Sequence, residues 1–171
     1  MKKISAIVLA LMLTACATGP QIKAPNLIKA PQPIVGNTGK FMSPYTEDGT
    51  VAPWVEKGRN AGIGANIGGF VGAQAGQKLA ENIPFVGGIL GQHIGETAGR
   101  AIAIKMAGGE EFIRANSDLS FNNINDMAVY MYAKNSTHKD FAQALKLAQD
   151  IYPELKTAYY PAIINASAAV N

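Results

Sequence analysis

Cysteine occurs once in this chain of 171 residues, as Cys16, and histidine only twice, as His93 and His138. A structural metal site needs about four ligands, and no Cys/His cluster supplies them. His93 and Glu96, three residues apart, read as polar groups on a helix face rather than as a ligand pair. Charge is also sparse: Asp, Glu, Lys and Arg make up 16% of the residues, with a net charge of +3. The basic residues are scattered, with no Lys/Arg stripe interleaved with aromatics, which excludes nucleic acid as a partner. The one concentrated apolar run, Ile4 to Leu13, is too short to be a permanent membrane span. Neither a Ser/His/Asp set nor a pair of carboxylates stands out, so no enzymatic activity and no cofactor are expected.

What the chain has in excess is glycine, 18 residues of it, and the glycines are in register. Gly64, Gly68, Gly72, Gly76 and Ala80 form one ladder, Asn82-Ile83-Pro84 interrupts it, and Gly87, Gly91, Gly95, Gly99 and Ala103 form a second. Residues four apart on a helix lie nearly above one another, so each ladder draws a groove without side chains. Glycine costs a helix about 0.8–1.0 kcal/mol per residue relative to alanine. A helix that accumulates so many uses the bare groove to admit another backbone, the packing signature of helices that meet in lipid or in tight dry pairs. Asn82 suits an N-cap, Pro84 suits the first helical turn, and Gly108-Gly109 is a stop signal. Two helices joined by so short a connection are antiparallel neighbours. The spacing thus predicts a glycine-zipper hairpin over 56–108. Polar residues on both arms, including Gln74, Lys78, His93, Glu96 and Arg100, disfavour simple insertion of an isolated arm in lipid. Glu96 and Arg100 are spaced as a favourable i,i+4 pair. Partial insertion or assembly, with polar faces turned inward or to water, is the expectation.

The pattern Gly62-Ile63-Gly64-Ala65-Asn66-Ile67-Gly68 mimics a dinucleotide fingerprint, but no strand precedes it and no βαβ unit follows. Gly72 to Lys78 lacks the spacing and the Ser/Thr of a P-loop.

The N-terminus combines Lys2 and Lys3, the short apolar run and Leu13-Thr14-Ala15-Cys16, the layout of a cleaved signal peptide. Leu-Thr-Ala-Cys resembles the lipobox of bacterial lipoproteins. That resemblance implies cleavage after residue 15, acylation of Cys16 (palmitate among the chains) and, with Ala17 next, transport to the outer membrane. A lipidated Cys16 is neither a catalytic thiol nor half of a disulfide. More than one acyl chain gives stable anchoring.

Residues 16–55 then form a Pro-rich stretch without apolar periodicity, expected to be a lipid-anchored, disordered tether. Trp54 at its end reads either as a membrane-interface indole or as the cap of a small core. From 109 to 171 the expectation is a C-terminal helical unit. Ser117 to Ser120 offers caps, Phe121, Ile124, Met127 and Met131 recur at helical spacing, and Thr137 with Asp140 resembles a capping box. Phe141, Ala144, Leu145, Ala148 and Ile151 make an amphipathic stripe ended by Pro153, and a short helix over Glu154–Tyr160 precedes Pro161.

The lipobox followed by paired glycine ladders resembles the glycine-zipper, two-membrane-helix family of outer-membrane lipoproteins. The expected fold class is all-α: the hairpin, the C-terminal helical unit and the tether. Helix-packing residues are Gly64, Gly68, Gly72, Gly76, Gly87, Gly91, Gly95 and Gly99, and the lipidation site is Cys16. Family resemblance implies a structural, non-catalytic role in envelope integrity. Expected partners are membrane lipid, through acylated Cys16, and either copies of the chain or envelope proteins, on the periplasmic side. Two other readings stay open: a pore with His93, Glu96 and Arg100 in its lumen, and a periplasmic adaptor whose C-terminal helices hold a partner.

Overall fold

Glycines and serines, rather than a run of alternating apolar residues, fold the proline-rich segment onto the helices. The computed structural model describes residues 21–61 and 92–170, the side chains of 92–96 excepted. Within them, β1 (Ile34–Val35) and β2 (Phe41–Met42) flank β3 (Leu119–Phe121) in an antiparallel sheet of order β1-β3-β2. Ser120 lies opposite Ile34 on one side and Met42 on the other. Its hydroxyl donates to the Gly36 carbonyl at 2.7 Å and accepts from the Gly39 N–H at 3.0 Å. Gly36, at φ +89°, turns the chain out of β1 in the left-handed region that favours glycine. At Gly39 a Cβ would lie 2.8 Å from the Ser120 hydroxyl, so only a bare backbone fits. A second turn follows, where the Asp48 carboxylate accepts from the Thr46 and Thr50 hydroxyls and the Thr50 N–H. These hydrogen bonds, Thr46's foremost, hold its carboxyl below the usual carboxylate range.

The described chain is mostly helical, and the sheet and ordered segment correct the expectation of an all-α fold on a disordered tether. Strands two residues long carry no readable period, and the apolar residues that anchor the segment (Ile28, the Phe41-Met42 pair and Tyr45) are spaced without period among prolines and polar residues. Ser117 to Ser120 likewise leads into β3 rather than capping a helix.

Helix α1 (Pro53–Asn60) starts with proline at its first position, where the missing N–H does no harm. Trp54 is fully buried and its indole N–H donates to the Ser117 hydroxyl at 2.9 Å, so it belongs to the protein core. Helix α2 (Gln92–Met106) ends at Gly108 and Gly109 as expected. Gly109 N–H reaches the Ile104 carbonyl at 2.8 Å and Gly108 N–H the Lys105 carbonyl at 3.1 Å, a Schellman cap with Gly108 at φ +109°. Helix α3 (Glu110–Ala115) carries Glu110 and Glu111 in its first turn, where the helix dipole favours negative charge. Helix α4 (Ile124–Tyr130), capped by the Asn123 side chain, runs on as a π-helical turn, Met131–Asn135.

Helix α5 (Phe141–Ile151) buries Ala144, Ala148 and Ile151 of the expected stripe, and stops before Pro153. Asp140 does not close a capping box with Thr137. Its N–H is bonded to His138 Nδ1 at 3.1 Å and its carboxylate pairs with Arg59 at 3.2 Å. Helix α6 (Glu154–Ala168) continues through Pro161, which was expected to end it. An interior proline costs a helix about 3 kcal/mol. Burial of Leu155, Tyr159, Ala162 and Ile163 on the core side offsets that cost.

One hydrophobic core joins these pieces, holding Tyr45 and Trp54 together with Ala107, Met127, Leu147 and Ile163. That core takes in residues from both sides of the expected boundaries at 55/56 and 108/109. Most of the predicted hairpin, including its first arm beyond residue 61 and its connection, lies outside them. No described helix is long and apolar enough to cross a membrane.

Candidate functional site

Of the residues singled out in the sequence, Cys16, Gly64, Gly68, Gly72, Gly76, Gly87 and Gly91 lie outside the described residues, while Gly95 and Gly99 lie on α2. The ladder does not stop at Gly99. Ala103 and Ala107 extend the same four-residue step, and both are buried, at 4% and 0% exposure. There α2 packs on α5 and, more lightly, on α1 and α3. A Cβ built on Gly99 meets nothing within 4 Å. The small-residue stripe thus seats α2 in the core at one end and emerges uncovered by any described residue at Gly99.

Arg100, next in sequence, fixes the point of emergence. Its Nε donates to the Ile151 carbonyl at 2.9 Å, a last-turn carbonyl of α5 that has no acceptor role left within the helix. A cation at a helix C-terminus is worth about 0.3–1 kcal/mol besides the hydrogen bond. Its Nη2 pairs with Glu110 at 3.4 Å at the start of α3. Arg100 therefore ties α2 to two other helices.

Around Arg100 the surface opens into a cleft of about 590 Å³, walled by Lys40, Phe41, Tyr152, Glu154 and Thr157. A smaller recess of about 70 Å³ adjoins it, where Arg114, Glu110 and Met42 join Arg100 and Tyr152. The Phe41 and Tyr152 rings meet edge to face, centroids 5.4 Å apart. The buried Tyr152 phenol oxygen accepts the Met42 N–H at 3.0 Å. Burial raises the phenol above its usual range, against the opposing pull of that N–H and of Arg114 and Arg100. Arg114 Nη1 is held by the carbonyls of Asn37 at 3.0 Å and Gly39 at 3.2 Å, so the β1–β2 connection positions it. Sequence reasoning missed this cleft. Lys40, Arg100, Arg114 and Tyr152 belong to four separate segments, and no local pattern links them.

A second polar cluster lies under α1 and the start of α5. The Tyr45 ring stands edge-on to His138 at 5.4 Å, beside the Asp140–Arg59 pair. Burial, then the charge of Asp140, raises the Tyr45 phenol well above its usual range, and its hydroxyl has no hydrogen-bond partner among the described residues. Nothing there pairs a nucleophile with a base. Among the described residues no group of three His, Cys, Asp or Glu side chains is placed to hold a metal ion. Comparison of the chain with protein-family models, with characterised proteins and with solved structures finds no match in any of the three.

Proposed function

We propose that the chain is a structural lipoprotein of the bacterial outer membrane, anchored through acylated Cys16 and acting without catalysis. Its two glycine ladders pair as an antiparallel hairpin, and the hairpin associates with copies of itself or with envelope components to maintain envelope integrity. One observation carries the association: the stripe on α2 is a packing face where Ala103 and Ala107 lie, and at Gly99 the same stripe has no described neighbour. A small-residue groove gains its stabilisation from a backbone lying in it.

The test is replacement of Gly91 and Gly95 by leucine in the full chain. Cross-linked multimers in membranes should disappear, while the folded unit keeps its far-ultraviolet spectrum and melting behaviour. Unchanged cross-linking and unchanged protease resistance of the ladders would sink the reading.

A pore reading has to accommodate an Arg100 guanidinium already bonded to the Ile151 carbonyl and to Glu110. An adaptor role gains support from the cleft beside Arg100. Deleting the C-terminal helices is not a clean test of it, since Tyr45 and Trp54 would lose the core they share.

A further inference from the structure

We infer that the cleft at Arg100 is a binding site for the free carboxylate end of a short peptide. The carboxylate enters the recess between Arg100 and Arg114, and the preceding residues lie along Phe41 and Tyr152. This inference does not depend on the glycine ladders.

Charge sets the class of the anionic group. The described lining of cleft and recess holds three cations, Lys40, Arg100 and Arg114, and two carboxylates, Glu110 and Glu154. The one positive charge left over matches a mono-anion rather than a phosphate dianion. The donors are in place. Arg100 engages its Nε and Nη2, and Arg114 its Nη1, with protein acceptors. Arg100 Nη1 and Arg114 Nη2 have no acceptor among the described residues. The same holds for the Tyr152 phenol proton, since its oxygen takes the Met42 N–H. Guanidinium groups present paired N–H donors whose geometry matches a carboxylate. Because both arginines are already held by backbone carbonyls, they need little further ordering to bind.

The wider part of the cleft sets the class of the body. Its wall shows only the edges of the Phe41–Tyr152 pair, 4% and 8% exposed, with the Lys40 ammonium over the Phe41 ring at 4.6 Å, and Pro153 adds a further apolar surface. Lys40, which pairs with Glu154 at 3.9 Å, and Thr157 also line it. A lipid tail would meet charge along the wider cleft, and the aliphatic side chains of the recess, Met42, Ile104, Ile113 and Ile151, line a space of only about 70 Å³, too small to hold one. A peptide supplies both an apolar side chain and polar amides, and suits such a mixed wall. Recognition of chain-terminal carboxylates by fixed donors is an established mode of peptide binding.

Isothermal titration of the full chain with N-acetyl-Ala-Phe as the free acid, with its C-terminal amide and with inorganic phosphate tests the assignment. The acid should bind at least about tenfold more tightly than the amide, a difference of about 1.4 kcal/mol. Phosphate should bind more weakly than the acid. Arg100→Lys should weaken the acid several-fold and the amide less, so that the acid-to-amide ratio falls, and Lys40→Gln, at an exposed position, should weaken the acid to a smaller degree. Equal binding of acid and amide, no binding of the acid, or tighter binding of phosphate overturns the inference. The comparison of acid, amide and phosphate is made on the unsubstituted protein, so it stands even if Arg100→Lys impairs folding.

Discussion

Gly58 on α1 and Gly99 on α2 sit on helices that both pack against α5, yet their surroundings are opposite. A Cβ at Gly58 would lie 2.6 Å from Leu147 Cδ2, inside the core, whereas one at Gly99 would meet nothing within 4 Å. Gly58 is accounted for by the fold: the absent side chain lets α1 press against a fully buried leucine. No contact among the described residues accounts for Gly99. A small residue with a neighbour and a small residue without one are the same letter in a sequence, and only the folded chain separates them. The first is accounted for by stability, and the second is the one to which the proposed association assigns a role.

Substitutions break this comparison at either end. Gly58→Leu should have the largest effect, destabilising the folded unit by about 1–3 kcal/mol through overpacking, read as a lowered urea midpoint. Adding Leu147→Ala should recover part of that loss, whereas an unchanged midpoint in the single variant would mean that α1 is not seated as described. Gly108→Ala should cost about 1–2 kcal/mol, because a side chain in the left-handed region is strained. Its Cβ would also lie 2.7 Å from the Phe112 ring. Gly99→Ala should do the reverse and stabilise the folded unit by about 0.5–1 kcal/mol, read as a raised midpoint, since alanine replaces glycine in a helix with no described neighbour to strike. Loss of stability there would place Gly99 with Gly58 and erase the contrast.

The smallest effect at neutral pH belongs to Tyr45→Phe, within about 1 kcal/mol, because the phenol it removes has no hydrogen-bond partner among the described residues. Alkali should reveal it. The Tyr45 and Tyr159 phenols are raised by burial, the first also by Asp140 and the second by neighbouring tyrosines. An unfolded tyrosine titrates near pH 10. Below that pH the contribution of both groups is whole. It falls away as pH rises further, where the unfolded chain has released a proton that the folded chain retains. Urea midpoints taken between neutral pH and strong alkali should decline above about pH 10, and less steeply in Tyr45→Phe. Identical slopes would mean that Tyr45 is open to solvent.

The helical part was the readable part. Gly108 and Gly109 announced the end of α2 because only glycine tolerates the backbone angles of that cap, and Ala144, Ala148 and Ile151 announced the buried face of α5 through their spacing. The sheet was not readable, since β1 and β2 give two residues each, and prolines with polar residues around them compose a mobile linker as readily as an ordered loop. Pro161 misled because local propensity was overridden by burial on both sides of it. The cleft was beyond reach because its arginines are held by carbonyls, and every residue has a carbonyl.

The early anchoring of the proline-rich segment also bears on reach. Lys23 is fastened to the far end of the chain, its N–H on the Ser167 hydroxyl at 3.1 Å and its carbonyl on the Tyr132 phenol at 3.0 Å. If Cys16 carries lipid, the leash from sulfur to that fastening spans at most about 25 Å, even fully stretched. A lipidated body on so short a lead would stay beside the bilayer surface, and whatever entered its cleft would have to come to the membrane to be met.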